Sequence, residues 1–152
     1  MSIRITGLDH LVLRVRDLER MIDFYVGVLG AEVLWRRPDI GLVHLKVGSD
    51  LLDLVPVDGT LGKKGGAAPG VEGRNLDHFC FRVEPFDQAT IVRHLSDHGV
   101  AIGEIRERFG AEGTGISIYL ADPENNIVEL KGPSDGKRPD SKIPASSTTL
   151  NT

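Results

Sequence analysis

Residues 8–15 read Leu8-Asp9-His10-Leu11-Val12-Leu13-Arg14-Val15, and 68 positions later the chain reads Leu76-Asp77-His78-Phe79-Cys80-Phe81-Arg82-Val83. A second match, offset by 76, sets Asp50-Leu51-Leu52-Asp53-Leu54-Val55 against Asn126-Ile127-Val128-Glu129-Leu130-Lys131. One duplicated unit therefore supplies His10 and Asp53, and its twin supplies His78 and Glu129. Two similar modules packed about a pseudo-twofold axis would bring these four side chains together. Two imidazoles and two carboxylates form the donor set of a divalent-metal site.

Working outward, each unit predicts the same order of elements: strand, helix, three strands. In 8–16, Leu11, Leu13 and Val15 alternate onto one face and His10, Val12 and Arg14 onto the other. Asp17 is placed to cap a helix reaching Leu29, with Leu18, Met21, Ile22, Tyr25, Val28 and Leu29 at helical spacing and Gly30 as the stop. Strands are expected at 31–37, 41–47 and 50–56. The second unit predicts a strand at 76–83, a helix from Asp87 to His98 ending at Gly99, and strands near 101–107, 115–121 and 126–131. The last hairpin turns through Asp122-Pro123-Glu124-Asn125-Asn126, where Asn125 or Asn126 can take the left-handed conformation. In the paired strands, Leu52 and Leu54 flank Asp53 as Val128 and Leu130 flank Glu129. All four candidates therefore leave the helix-packed side and face the concave side of the sheets.

Between the modules, residues 58–75 contain six glycines and one proline, which predicts a flexible linker and a lid over the site. Residues 133–152 are rich in Ser, Thr, Pro and Lys with little to bury, and disorder is expected there. The domain is thus a single α+β unit over 5–132, made of modules 5–57 and 76–132.

Composition narrows the partners. The chain has 152 residues, 40% of them hydrophobic, enough for a compact core. With 18 basic and 22 acidic residues it carries a net charge of -4, which argues against a nucleic-acid partner or an anionic membrane surface and points to a small molecule. Its one cysteine, Cys80, falls within a strand and reads as a structural thiol in a reducing compartment. No apolar run approaches the length of a membrane span and the N-terminus lacks a signal-peptide pattern, so a cytoplasmic location is expected.

Of the five histidines, His44, His94 and His98 have no partner in the repeat. His94 and His98 lie four apart, a zinc-compatible spacing without a third ligand in sequence, and are expected in solvent. Asp53 is one methylene shorter than Glu129, so its reach to an ion shared with the other three is the open question of the ligand set. Arg14 and Arg82, the duplicated cations on the histidine face, are candidates for binding a substrate carboxylate or phosphate.

These residues resemble the vicinal oxygen chelate superfamily, which includes glyoxalase I, extradiol dioxygenases, methylmalonyl-CoA epimerase and fosfomycin and bleomycin resistance proteins. The resemblance is carried by Leu8-Asp9-His10, Phe24-Tyr25 with Leu29-Gly30, Leu76-Asp77-His78, and the run from Asp122 to Leu130. It implies a pair of βαβββ modules forming a partly open barrel around one divalent ion (Zn, Ni, Mn, Fe or Co) held by His10, His78 and Glu129, with Asp53 as a fourth ligand in the glyoxalase I pattern. In such proteins the site lies within one chain or across a dimer, and a homodimer is expected here. The substrate would present two neighbouring oxygens to the ion, which acts as a Lewis acid while an enediolate forms. Asp53 and Glu129 are then the candidate bases.

Departures rank the branches. Residues 58–75 lack the extra histidine that ring-cleaving dioxygenases carry before the second ligand strand, although Tyr119 occupies the place of their site tyrosine. Asp53 stands where glyoxalase I relatives favour Glu or Gln. The reading is a glyoxalase I-like lyase or isomerase (lactoylglutathione lyase type). The alternatives are an extradiol-type dioxygenase and a fosfomycin or bleomycin resistance protein that transfers a thiol to a drug or sequesters it.

Overall fold

The computed structural model describes residues 3–137. Each module folds as strand, helix and three strands. The first comprises β1 (His10–Val15), α1 (Leu18–Ile22), β2 (Glu32–Arg37), β3 (Leu42–Val47) and β4 (Asp50–Pro56). The second comprises β5 (His78–Arg82), α2 (Gln88–Asp97), β6 (Ile102–Gly110), β7 (Gly113–Ala121) and β8 (Ile127–Lys131). The strands form two four-stranded mixed sheets, ordered β1-β4-β3-β2 and β5-β8-β7-β6, that do not close into a barrel. In each, the first strand runs parallel to the last and the other pairs are antiparallel.

The duplication extends to the register. Val12 lies opposite Asp53 in the β1–β4 ladder, and Cys80, 68 residues after Val12, lies opposite Glu129 in the β5–β8 ladder. The alternation fixes what each face meets. Leu13, Val15, Leu52, Leu54, Val128 and Leu130 join one apolar core, with Met21, Ile22, Phe24 and Tyr25 from the first helical segment and Leu95 from the second. Burial of this area from water is the main term that holds the sheets to their helices.

Local signals act where the sequence places them. Asp17 accepts from Arg20 N, and Asp87 accepts from Thr90 N at 2.7 Å, each capping its helix. Gly30 and Asn125 take positive φ, the latter at 65° in the β7–β8 turn. The first helix departs from the expected regular helix to Leu29: after Ile22 it widens into π-helical turns over Asp23–Val28. From this segment Tyr25 reaches the other module, donating its hydroxyl to Asp122 Oδ2 at 2.6 Å. Glu124 accepts from the Arg16 and Asp17 amides, and Asn75 donates to Arg14 O and Asn126 Oδ1. These bonds tie the Asp122–Asn126 turn to the first module.

Both connecting segments carry local structure. Residues 58–75 are not a featureless linker: Gly62–Gly65 form a 3-10 turn held by Arg14, whose guanidinium donates to the carbonyls of Gly62, Gly65, Gly66 and Ala67 at 2.7–3.0 Å. The glycines matter there, because a Cβ at Gly65 would land on that guanidinium. Residues 133–137 are also ordered against β7, with Asp135 exchanging hydrogen bonds with Thr114. Residues 138–152 lie outside the described residues. No helix among the described residues is long and apolar enough to cross a membrane.

Candidate metal centre

Each sheet carries half of the sequence-derived constellation on its concave face. On the second sheet, β5 presents His78 and Cys80, β8 presents Glu129, and β7 presents Ser117 and Tyr119. Although the carboxylate leaves the helix-packed side, Glu129 is buried, and both its oxygens are engaged: Ser117 donates to Oε1 at 2.5 Å and Tyr119 to Oε2 at 3.0 Å. His78 Nδ1 bonds Asp77 at 2.5 Å, and its Nε2 stands 3.4 Å from Glu129 Oε2. A proton on Nδ1, donated to Asp77, leaves the Nε2 lone pair facing a carboxylate oxygen. In that tautomer Nε2 and Oε2 form a pair of lone-pair donors that can hold a cation.

On the first sheet, His10 shows the same arrangement, with Nδ1 bonded to Asp9 at 2.7 Å; that hydrogen bond, above all, holds its pKa above the ordinary value of 6.5. The aspartates of the repeated Leu-Asp-His therefore hold both imidazoles through Nδ1 and leave Nε2 turned away from them, the arrangement that outer carboxylates give to metal-binding histidines. The sequence displayed these aspartates; only the geometry reveals their use.

Asp53 is buried, and its Oδ1 bonds His44 Nδ1 at 2.7 Å. Sequence comparison left His44 without a counterpart. The register supplies one: His44 lies opposite Asp53 as Tyr119 lies opposite Glu129. The match is invisible in the residue string because the two hairpins differ by one residue and the side chains differ in kind.

The candidate substrate cations are committed within the chain. Arg14 clasps the 62–67 segment, and Arg82 pairs with Glu112. Arg108, which the sequence did not single out, lies beside the site instead, donating through Nε to Tyr119 OH at 3.3 Å and pairing with Glu104. Cys80 is exposed on the concave face rather than buried, because it shares the parity of His78; desolvation first, and then the Glu129 charge, push its thiol up to about 12. His94 and His98 are engaged locally, His94 donating to Val28 O at 2.8 Å. Among the described residues no three His, Cys, Asp or Glu side chains of one chain converge as a metal cluster.

The order of elements, the paired registers and the repeated Asp-His strand starts coincide with one known pattern: the sequence model of the Glyoxalase/Bleomycin resistance protein/Dioxygenase superfamily matches residues 7–130. The chain belongs to that superfamily. It is 32% identical over 138 residues to glyoxalase domain-containing protein RDO1 of Mycosarcoma maydis, covering 90% of this chain and 73% of that protein. It is 28% identical over 126 residues to fosfomycin resistance protein FosX of Mesorhizobium japonicum, covering 83% and 85%. Among solved structures, the integron cassette protein VCH_CASS1 of V. cholerae aligns with a TM-score of 0.70 at 27% identity, over 88% of this chain and 100% of that one. His10 and the His78–Glu129 pair lie on the sheet faces opposite those whose Leu, Val and Phe side chains pack into the core with the helices.

Proposed function

We propose that this protein is a divalent-metal-dependent enzyme that isomerises a small substrate bearing two neighbouring oxygens, in the manner of a glyoxalase I-like lyase. One observation carries the reading: His78 Nε2 faces Glu129 Oε2 at 3.4 Å while Asp77 holds its other nitrogen, so two lone-pair donors converge with their supports already in place. Their chemistry fits a borderline divalent ion such as zinc, nickel, manganese, iron or cobalt.

The proposed ligands are His10, His78 and Glu129. His10 stands on one sheet of the chain and the other two stand on the second, and no three such side chains converge within the described residues of one chain. The reading therefore completes the site across a homodimer, with His10 of one subunit facing His78 and Glu129 of the other. Asp53 is assigned to His44, whose Nδ1 it bonds at 2.7 Å, and is kept outside the proposed set. When bound, the ion would supply Lewis acidity to the two substrate oxygens. The chain's own residues do the rest: Ser117 and Tyr119 hold the Glu129 carboxylate, Asp9 and Asp77 orient the imidazoles, and Arg108 offers a cation beside Tyr119.

The test is turnover of the methylglyoxal–glutathione hemithioacetal by protein loaded in turn with Zn, Ni, Mn and Co. Formation of the thioester supports the reading, and no turnover by any fully loaded form overturns the choice of reaction. The similarity to FosX favours one second reading, modification of fosfomycin, tested by following consumption of the drug with the same loaded forms.

A further inference from the structure

One register row crosses all four strands of the first sheet: Val12 on β1, Asp53 on β4, His44 on β3 and Trp35 on β2. All four side chains therefore point to the concave face that also carries His10. Within the row, Asp53 is buried and bonds His44 Nδ1 at 2.7 Å. The Trp35 ring stacks on the imidazole with centroids 5.8 Å apart and planes 23° from parallel. Between a carboxylate and an indole the imidazole has one orientation, with its tautomer set by Asp53. Its remaining nitrogen, Nε2, makes no hydrogen bond among the described residues, and the side chain is 19% exposed. Val12 and Trp35 beside it are 46% and 54% exposed, which leaves an apolar rim around that nitrogen.

We infer that His44, positioned by Asp53, is the residue that takes and returns the substrate proton. A buried carboxylate that fixes an imidazole through Nδ1–H and leaves Nε2 as an acceptor is a general-base arrangement. The substrate class is a 2-hydroxycarbonyl compound. The C–H bond on the hydroxyl-bearing carbon breaks, its electron pair forms the new C=C bond, and the carbonyl π pair moves to oxygen. The proton passes to His44 Nε2. Its return to the former carbonyl carbon, with transfer of the hydroxyl proton to the former carbonyl oxygen, gives the isomer with no net change in atoms or electrons. This assignment rests on the metal-dependent reading above, and it gives Asp53 a positioning role in place of a ligating one.

The experiment uses the intact protein, metal-free and zinc-loaded, with oxalate as a probe that presents two neighbouring oxygens. Two quantities are read: the 15N–1H signal of His44 Nδ1, and the rate at which diethyl pyrocarbonate modifies His44, mapped by mass spectrometry. The inference predicts an Nδ1–H signal that survives zinc loading and is lost in Asp53→Asn. Modification at Nε2 should slow in that variant, and zinc with oxalate should protect His44 where zinc alone does not. Loss of the Nδ1–H signal on zinc loading would show that Asp53 leaves His44 for the metal and would overturn the inference while sparing the metal site. Equal modification with and without oxalate in a protein shown to bind zinc would also overturn it, since His44 would then face away from the chelated ligand. Failure to bind zinc at all would overturn the metal-dependent reading, and this inference with it. Folding of Asp53→Asn is checked by its circular dichroism. Should it not fold, the parent chain decides alone: survival of the Nδ1–H signal on zinc loading together with protection of His44 by oxalate supports the inference, and failure of either overturns it.

Discussion

His78 Nε2 stands 3.4 Å from Glu129 Oε2, and the other atoms of both groups are bonded elsewhere, His78 Nδ1 to Asp77 and Glu129 Oε1 to Ser117. These bonds hold the two side chains toward each other. Replacing His78 with Ala should abolish metal binding. Asp77→Asn keeps the ligand but weakens its orientation and basicity, and should lower metal affinity by about 10–100-fold. Competition with a chromogenic chelator measures both.

Ser117 is fully buried and its hydroxyl serves Glu129 alone among the described hydrogen bonds. Ser117→Ala leaves a buried carboxylate oxygen without its donor, at a cost of about 1–3 kcal/mol in the metal-free protein. Denaturant unfolding reads that loss. Tyr119→Phe removes the donor to Oε2, which is the oxygen facing His78, so its larger effect should be on metal affinity.

The clamp between modules is testable through Tyr25, fully buried, with its hydroxyl on Asp122. Tyr25→Phe should cost about 1–3 kcal/mol at pH 7. Burial first, and then the Asp122 charge, raise the phenol far above its ordinary value of 10. The folded chain therefore keeps this proton where the unfolded chain releases it, so the Tyr25 contribution is full below pH 10 and is lost as pH rises above it, by about 1.4 kcal/mol per pH unit. Unfolding curves taken from pH 8 to 11 should show this alkaline loss in the parent chain and a shallower one in Tyr25→Phe.

The glycine-rich connection was legible as composition but not as structure. Its order comes from one long-range partner, Arg14, which composition cannot reveal, and from carbonyls that every residue type carries. Gly65→Ala should displace the guanidinium, speed proteolysis within 62–67 and lower stability by about 1–2 kcal/mol, with metal content unchanged.

The succession of elements along the chain, the caps and the last turn could be read from the sequence because each rests on local chemistry: period-two alternation, Asp17 and Asp87 at helix starts, Asn125 in the last turn. The repeat of His10 and His78 was legible for the same reason, being written twice in one context. His44 was not, because its equivalence to Tyr119 exists only in the cross-strand register. The engagement of Arg14 and Arg82 was hidden likewise, since their partners lie 48–53 and 30 residues away.

The proposed metal site is shared between two subunits, with His10 from one and His78 and Glu129 from the other. The direct measurement is metal stoichiometry in a hybrid dimer made by refolding differently tagged His10→Ala and His78→Ala chains together, purified through both tags after tag removal controls. Each variant alone should bind no metal. In the hybrid, one of the two sites regains all three ligands, so one ion per dimer is expected. No metal in the hybrid, or undiminished metal in either variant alone, would contradict it.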